Sequence, residues 1–312
     1  MAPRLGGIAM SQEQFGRRDL FKRAAVVGAG LGLAGGAASA RETPDAMRVA
    51  QTVNTVPRKQ LGATGADIPI IVMGCSQKFD ATYDRVLHGA FREGVNYLDA
   101  AQAYAGGQCH KSIAAFIEQV GRKNIWITSK VMLSGQTCTP DMYATRLEES
   151  ILPDSRIDSI EMFFMHSVDQ LRQLDPEFIK MGDDLKKRGL IKYFGFSCHR
   201  GNVVELMNKA AELGVGAIDC IQFRYNFTMY GDMELNKAID ACKKAGIGLI
   251  AMKTQASVPE DSQKVQEFQS KEFNLAQAKI KAVWADDRID ALSSEMTNTQ
   301  QIRENTDAAK TL

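Results

Sequence analysis

An excess of either charge is missing from this sequence. Its 312 residues carry 38 basic and 37 acidic side chains. Residues 1–40 hold five of the basic and two of the acidic ones, which leaves 33 against 35 and a net charge near −2 for the remainder. Such a balance gives no pull towards nucleic acid or an anionic membrane. Heptads and low-complexity tracts are absent as well. So is a membrane-length apolar run: the stretch from Ala24 to Ala37 falls short of the roughly 20 residues that a spanning helix takes. Its glycines also make it a poor core helix. Gly28-Ala29-Gly30-Leu31-Gly32 has the look of a dinucleotide loop, but no strand precedes it, which excludes that reading. What remains suits one large domain with a substantial core.

Residues 1–40 read as an address. Gly16-Arg17-Arg18-Asp19-Leu20-Phe21-Lys22 resembles a twin-arginine export signal. A soft Ala/Gly/Val/Leu stretch follows, and Ala38-Ser39-Ala40 offers a small-residue cleavage site. The resemblance implies export of a folded protein by the twin-arginine machinery, often with a cofactor inside. It also implies a periplasmic location and no stable membrane insertion after cleavage. Residues 41–56 read as a polar linker and 57–312 as the folded domain.

From residue 57 the pattern alternates. Arg58 to Asp67 suits a short hairpin. Strands are expected near Ile70–Gly74, Val95–Ala100, Ile125–Lys130, Ile160–His166, Ile191–Ser197, Ala217–Phe223, Gly248–Lys253 and Asp290–Ser294. Amphipathic segments such as 82–93, 140–152, 201–213 and 232–245 lie between them. Pro140-Asp141 and Gly201-Asn202 suit helix starts, and Gly246 a helix stop. Apolar runs without strict alternation suit parallel strands covered on both faces. Eight β-then-α units point to an α/β fold, a (β/α)8 TIM barrel with a short N-terminal β-hairpin. An open doubly wound sheet has the same periodicity and stays open at this point.

Three of the expected strands stop on an ionisable residue. Asp99 closes Val95-Asn-Tyr-Leu-Asp99, with Tyr104 shortly after it. Lys130 ends Ile125-Trp-Ile-Thr-Ser-Lys130, and His166 ends Ile160-Glu-Met-Phe-Phe-Met-His166. In a closed barrel these side chains share the C-terminal rim, where barrel chemistry sits. Each alone also suits a cap or a satisfied interior position.

With these residues in place, the chain from about residue 57 resembles the aldo-keto reductases. Arg58-Lys-Gln-Leu-Gly-Ala-Thr-Gly is similar to the family's opening hairpin, and Asn96 to Tyr104 to the strand that carries its Asp and Tyr. Ile127-Thr-Ser-Lys130 and Phe164-Met-His166 match its Lys and His positions. Gly195-Phe-Ser197 and Ile221 to Asn226 match cofactor-facing strand ends, and Glu304-Asn305 the closing helix. The resemblance implies NADP(H) or NAD(H) as cofactor. It implies Asp99, Tyr104, Lys130 and His166 as the catalytic set, and Ser197, Gln222, Met252, Lys253, Gln301 and Asn305 as cofactor contacts.

The residues themselves suit reduction of an aldehyde or ketone to an alcohol, or the reverse. A tyrosine hydroxyl is a weak acid, with an ordinary pKa of about 10. A nearby ammonium, Lys130, is expected to lower it, with Asp99 holding the lysine. His166 would hydrogen-bond the carbonyl oxygen, and Tyr104 would act as general acid or base. No side chain supplies a hydride, so a nicotinamide must.

The chain departs from the family pattern in places. Cys198 stands where the family has Asn beside Ser197, and Ala251-Met252-Lys253-Thr254 replaces an aromatic platform. Met252 offers a polarisable surface instead. The positions that hold the adenosine 2′-phosphate fall on Glu295 and Gln301. A carboxylate disfavours that phosphate, so either the cofactor is NADH or Lys253 and Arg303 take over. The short tail after the last helix suggests an open pocket of broad range, and the loops at 132–139 and 254–270 carry no readable substrate signature.

Cysteine and histidine open two further readings. Cys75, Cys109, Cys138 and Cys198, with His110, His166 and His199, all fall just beyond expected strand ends. The rim cysteines could be unpaired, could form a disulfide in an oxidising periplasm, or could bind a soft metal with the histidines. A thiol- or metal-dependent enzyme is therefore one alternative. A catalytically silent nicotinamide-binding or sensing barrel, suggested by the altered cofactor clamp, is the other.

Overall fold

A computed structural model describes residues 55–199, 201–255, 269 and 272–312. The export signal expected over 1–40, and the linker as far as residue 54, lie outside the described residues. Val56, assigned to the linker by sequence, is buried, and its amide donates to the Glu93 carbonyl at 3.0 Å.

Eight parallel strands close into a barrel. β3 (Ile71–Gly74), β4 (Tyr97–Asp99), β5 (Trp126–Val131), β6 (Ile160–Met165), β7 (Ile191–Cys198), β8 (Cys220–Arg224) and β9 (Gly248–Met252) pair in chain order. β10 (Ala291–Ser294) pairs with both β9 and β3 and completes the ring. The open-sheet alternative is thereby excluded.

Helices α1 (Arg85–Arg92), α2 (Cys109–Val120), α3 (Pro140–Arg146), α4 (Leu152–Ser155), α5 (Pro176–Lys187), α6 (Val203–Leu213), α7 (Met233–Lys244), α8 (Leu275–Trp284) and α9 (Thr299–Lys310) follow the strands. Their apolar faces and the outward strand residues form the larger of the cores. The single helix expected over 140–152 is interrupted by a π turn, Leu147–Ile151, ahead of α4. Pro153 is the cause: its ring cannot donate to, and crowds, the carbonyl four residues back, and a wider turn relieves the clash.

β1 (Arg58–Gln60) and β2 (Asp67–Pro69) form the antiparallel hairpin. Its Leu61, Ala66 and Ile68 pack with Val72, Tyr97, Met162, Phe164, Cys220, Ile250 and Ala291 inside the barrel. The hairpin therefore plugs the N-terminal mouth. Its turn needs Gly62, which has φ +52 and lies so near the next loop that a Cβ would come 2.4 Å from the Gly246 carbonyl oxygen.

That apolar interior sets the site. Side chains alternate along a strand, so the second residue after an inward one also points inward. Two beyond Tyr97, Phe164, Cys220, Ile250 and Ala291 lie Asp99, His166, Gln222, Met252 and Ser293. Thr128 is inward too, since its hydroxyl meets that of Tyr97 at 2.6 Å, which sends Lys130 to the same rim. The barrel is apolar below and ionisable above.

Candidate active site

Asp99 is the hub. It is 5 % exposed and accepts from three side chains. Lys130 donates to Oδ1, and Gln222 and Ser293 each donate to Oδ2 at 2.8 Å. The Lys130 ammonium also reaches the Ala100 carbonyl at 3.0 Å. Burial works against the charge on Lys130, but Asp99 and Tyr104 overcome it and its pKa is raised. A charged pair is thus held in the floor of the site.

Tyr104 lies above that pair. Lys130 Nζ is 4.9 Å from its ring centroid. A left-handed turn follows, with φ of 51° at Ala105, 63° at Gly106 and 82° at Gly107. Ala105 is a non-glycine residue held in that region, and its amide is fixed to the Ser76 carbonyl at 3.2 Å. Such local strain is common where a side chain must be aimed.

The expected lowering of the tyrosine pKa is corrected here. Lys130 pulls it down, but burial and the Asp99 carboxylate together outweigh the lysine, and the net shift is upward. The lysine is already neutralised by Asp99, so little of its field is left for the phenol.

The His166 ring meets Tyr104 edge-on, with centroids 5.7 Å apart. Burial, helped by Lys130 and His199 against the opposing pull of Asp99, takes its pKa down to about 3. It is therefore a neutral imidazole at ordinary pH. Its Nδ1 is buried with no hydrogen-bond partner. A proton there would be a stranded donor, so the proton belongs on Nε2.

Two cavities open at this rim. The first, of about 390 Å³, is walled by Asp99, Tyr104 and His166, together with Met132, His199 and Met252. The second, of about 420 Å³, is walled by Leu275, Lys279, Gln301, Glu304 and Asn305. Gln255 and Glu295 line both, so they form one elongated cleft. A network sits at the junction: Ser294 Oγ donates to Gln255 Oε1 at 2.9 Å, and Asn305 Nδ2 donates to Ser294 Oγ at 3.0 Å.

The expected cofactor residues divide. Met252 and Lys253 line the first cavity, and Gln301 and Asn305 the second. Gln301 also accepts from the Thr297 amide at 2.7 Å. Ser197 and Gln222 do not line the cleft. Ser197 Oγ accepts from the amide of Ser167, which has φ 57, and so pins the turn after His166. Gln222 is turned to Asp99. Arg303 is exposed and lines neither cavity, whereas Lys279, which the sequence reading missed, lines the second. Ser293, Ser294 and Gln255 were missed too. Ser293 and Ser294 end an expected strand, so the rule that found Asp99 and His166 would have found them.

The cysteine readings are also corrected. None of the six thiols is in a disulfide, and all are buried. Cys75 lines the cleft, but burial foremost raises its pKa well above the ordinary thiol value. Burial foremost likewise pushes Cys109 up to about 11. Both stay protonated, which is the inert form. Among the described residues no group of three or more His, Cys, Asp or Glu is placed to hold a metal ion. His110, placed on the rim by sequence, is buried in α2 and bonds Ser129 Oγ at 2.9 Å.

The donor set of the cleft fits a nicotinamide dinucleotide. A polarisable Met252 lies beside the Tyr104 end, Lys253 follows it, amides sit at the junction, and Lys279 lies at the far end.

Comparison with known proteins agrees with this geometry. The Aldo/keto reductase family matches residues 74–310. The oxidoreductase YqkF of Bacillus subtilis is 26% identical over 159 residues, which is 47% of this chain and 51% of that protein. The chain thus spans about half the length of this curated relative. An aldo-keto reductase of Klebsiella pneumoniae, solved with NADPH, superposes with a TM-score of 0.62 at 16% identity, covering 82% of this chain and 90% of that one. The holo form of an aldo-keto reductase of Bacillus halodurans gives 0.63 at 18%, covering 81% and 90%. At such identities the superpositions speak for the fold alone.

Proposed function

The chain belongs to the aldo/keto reductase family, and from that premise we propose that it is an NAD(P)H-dependent oxidoreductase that interconverts small aldehydes or ketones and their alcohols. One observation carries the reading: Asp99, Tyr104 and His166 face one cavity, with Lys130 bonded to Asp99 beneath them. The nicotinamide supplies the hydride when bound.

The chain's own residues do the rest. His166, neutral and protonated on Nε2, donates to the substrate carbonyl oxygen and orients it. Tyr104 keeps its proton at neutral pH and gives it to the alkoxide as the carbonyl carbon is reduced. Lys130 then stabilises the phenolate that remains, at the moment when charge develops. Asp99 holds Lys130, and Gln222 and Ser293 hold Asp99. In oxidation the phenolate takes the proton back.

NADH is the better fit of the two cofactors. The second cavity presents two carboxylates, Glu295 and Glu304, to one ammonium, Lys279. A dianionic 2′-phosphate is disfavoured there. Fluorescence titration of protein lacking residues 1–40 with NADH and NADPH tests this. Tighter NADH binding is expected. Tighter NADPH binding would overturn the cofactor choice, and binding of neither would overturn the reductase reading.

The twin-arginine signal over residues 1–40 belongs to the same proposal, since the machinery it addresses carries folded, cofactor-loaded proteins. Fractionation of cells should find the parent chain outside the cytoplasm and an Arg17→Lys/Arg18→Lys variant inside. Equal distribution of the two would remove the export reading.

A further inference from the structure

His199 directly follows β7 and lines the first cavity. Its ring centroid lies 6.0 Å from that of His166, with the planes tilted by 50°. It is half-buried, and its ring nitrogens make no hydrogen bond to any described residue. Burial, then Lys253 and Lys130, lower its pKa against a smaller opposing pull from Asp99, so it too is a neutral imidazole with one donor and one acceptor.

The proposed reaction leaves this ring without a role. A carbonyl oxygen has two lone pairs. Tyr104 and His166 fill both. His166 stands in ring contact with Tyr104 on one side and His199 on the other, so the next atoms of a bound substrate extend towards His199. An apolar substituent there would strand a desolvated imidazole. An oxygen on the adjacent carbon would partner it, because a nitrogen-to-oxygen hydrogen bond spans about 2.7–3.2 Å and each ring can hold its own oxygen. A ring that both donates and accepts suits either a hydroxyl or an oxo group.

We propose that the site selects carbonyl compounds bearing a second oxygen on the neighbouring carbon, α-hydroxy or α-oxo aldehydes and ketones, and that His199 binds that second oxygen. The inference rests on the reductase reading above. It makes His199 a specificity residue.

Lactaldehyde and propanal test it, because they differ by one hydroxyl. The readout is the ratio of their kcat/KM values, which cancels any difference in the amount of folded enzyme. The parent chain should prefer lactaldehyde by about tenfold, the worth of one well-made hydrogen bond. In His199→Ala the ratio should fall towards one. In His199→Asn, whose amide also donates and accepts, most of the preference should return. An unchanged ratio in His199→Ala, or no preference in the parent chain, overturns the subsite and leaves the reductase reading standing. Turnover of neither aldehyde by the parent chain overturns both.

Discussion

The phenol of Tyr104 keeps its proton because Lys130 is already engaged by Asp99. That balance sets the pH behaviour. Reduction needs the phenol and oxidation needs the phenolate. The Tyr104 pKa lies above its ordinary value, while His166 sits at about 3. Reductive kcat/KM should therefore be flat from about pH 5 to about pH 9 and fall only above that, with no histidine step. Oxidative kcat/KM should climb about tenfold per pH unit across the same range. A break near pH 6.5 in the reductive profile would mean that a histidine, and not Tyr104, delivers the proton. Tyr104→Phe should lower kcat by about 10²- to 10⁴-fold in both directions. At this scale the sequence showed which residues meet but not what their meeting does. Asp99, Lys130 and His166 were legible because a charged residue ending an apolar run stands out. Ser293 obeys the same inward register but carries no charge to draw notice. Lys279 sits on a helix, where a lysine ordinarily reads as solvated, yet it is 7% exposed and faces the cleft. The tyrosine shift was misjudged because burial and two opposite charges compete through distances that spacing does not reveal.

The strands meet those charges on one rim because the opposite rim is tied down by a repeated device. Just before or at the start of β6, β8 and β10 stand three buried carboxylates, Glu161, Asp219 and Asp290. Each accepts a backbone amide from the preceding strand: Ile127 at 2.9 Å, Phe194 at 2.8 Å and Leu249 at 2.9 Å. Each also pairs with a cation from outside the barrel, Arg122 at 2.8 Å, Lys186 at 2.7 Å and Lys243 at 2.7 Å. Asp290 further accepts from the Gly62 amide and so fastens the hairpin plug. The register of paired strands is pinned at the end away from the chemistry. Removing one carboxylate leaves a buried amide unsatisfied and a cation unpaired. Asp219→Ala should therefore cost about 3 kcal/mol of unfolding free energy by urea titration. Its kcat/KM should stay within about twofold of the parent, because barrel chemistry sits at the far face. Lost activity without lost stability would refute this division of labour. The strands themselves were legible, since apolar runs bounded by turns and helices identify parallel barrel strands. The acidic pins were not, because a carboxylate beside an apolar run reads as a solvated end. The π turn before Pro153 was hidden too, since helical periodicity runs straight through it.

For the whole molecule, charges nearly cancel, so global self-repulsion contributes little to its response to pH and single buried groups dominate. Two such groups are His110, with a pKa lowered to about 4, and His166, lowered to about 3, in both cases chiefly by burial. The unfolded chain takes up protons near the ordinary value of about 6.5, while the folded one refuses them until much lower pH. Between those values the unfolded state binds more protons, so stability rises with pH. This stabilisation is complete above about pH 6.5 and drains away as the pH falls towards 4 and then 3. Taking the protein from pH 7 to pH 5 should cost about 2 kcal/mol for each histidine, from about 1.4 kcal/mol per unit of pKa difference. The two sites differ in a way that allows them to be separated. His110 lies in α2 against Ser129 and lines no part of the cleft, so replacing it spares the chemistry proposed for His166. A His110→Gln variant keeps a polar partner for Ser129 but does not titrate. It should lose about half as much stability as the parent chain between pH 7 and pH 5, measured by urea titration at each pH. Equal losses in variant and parent would show that His110 is protonated in the folded protein, and that the interior of the barrel wall admits a charge that its burial is here argued to exclude.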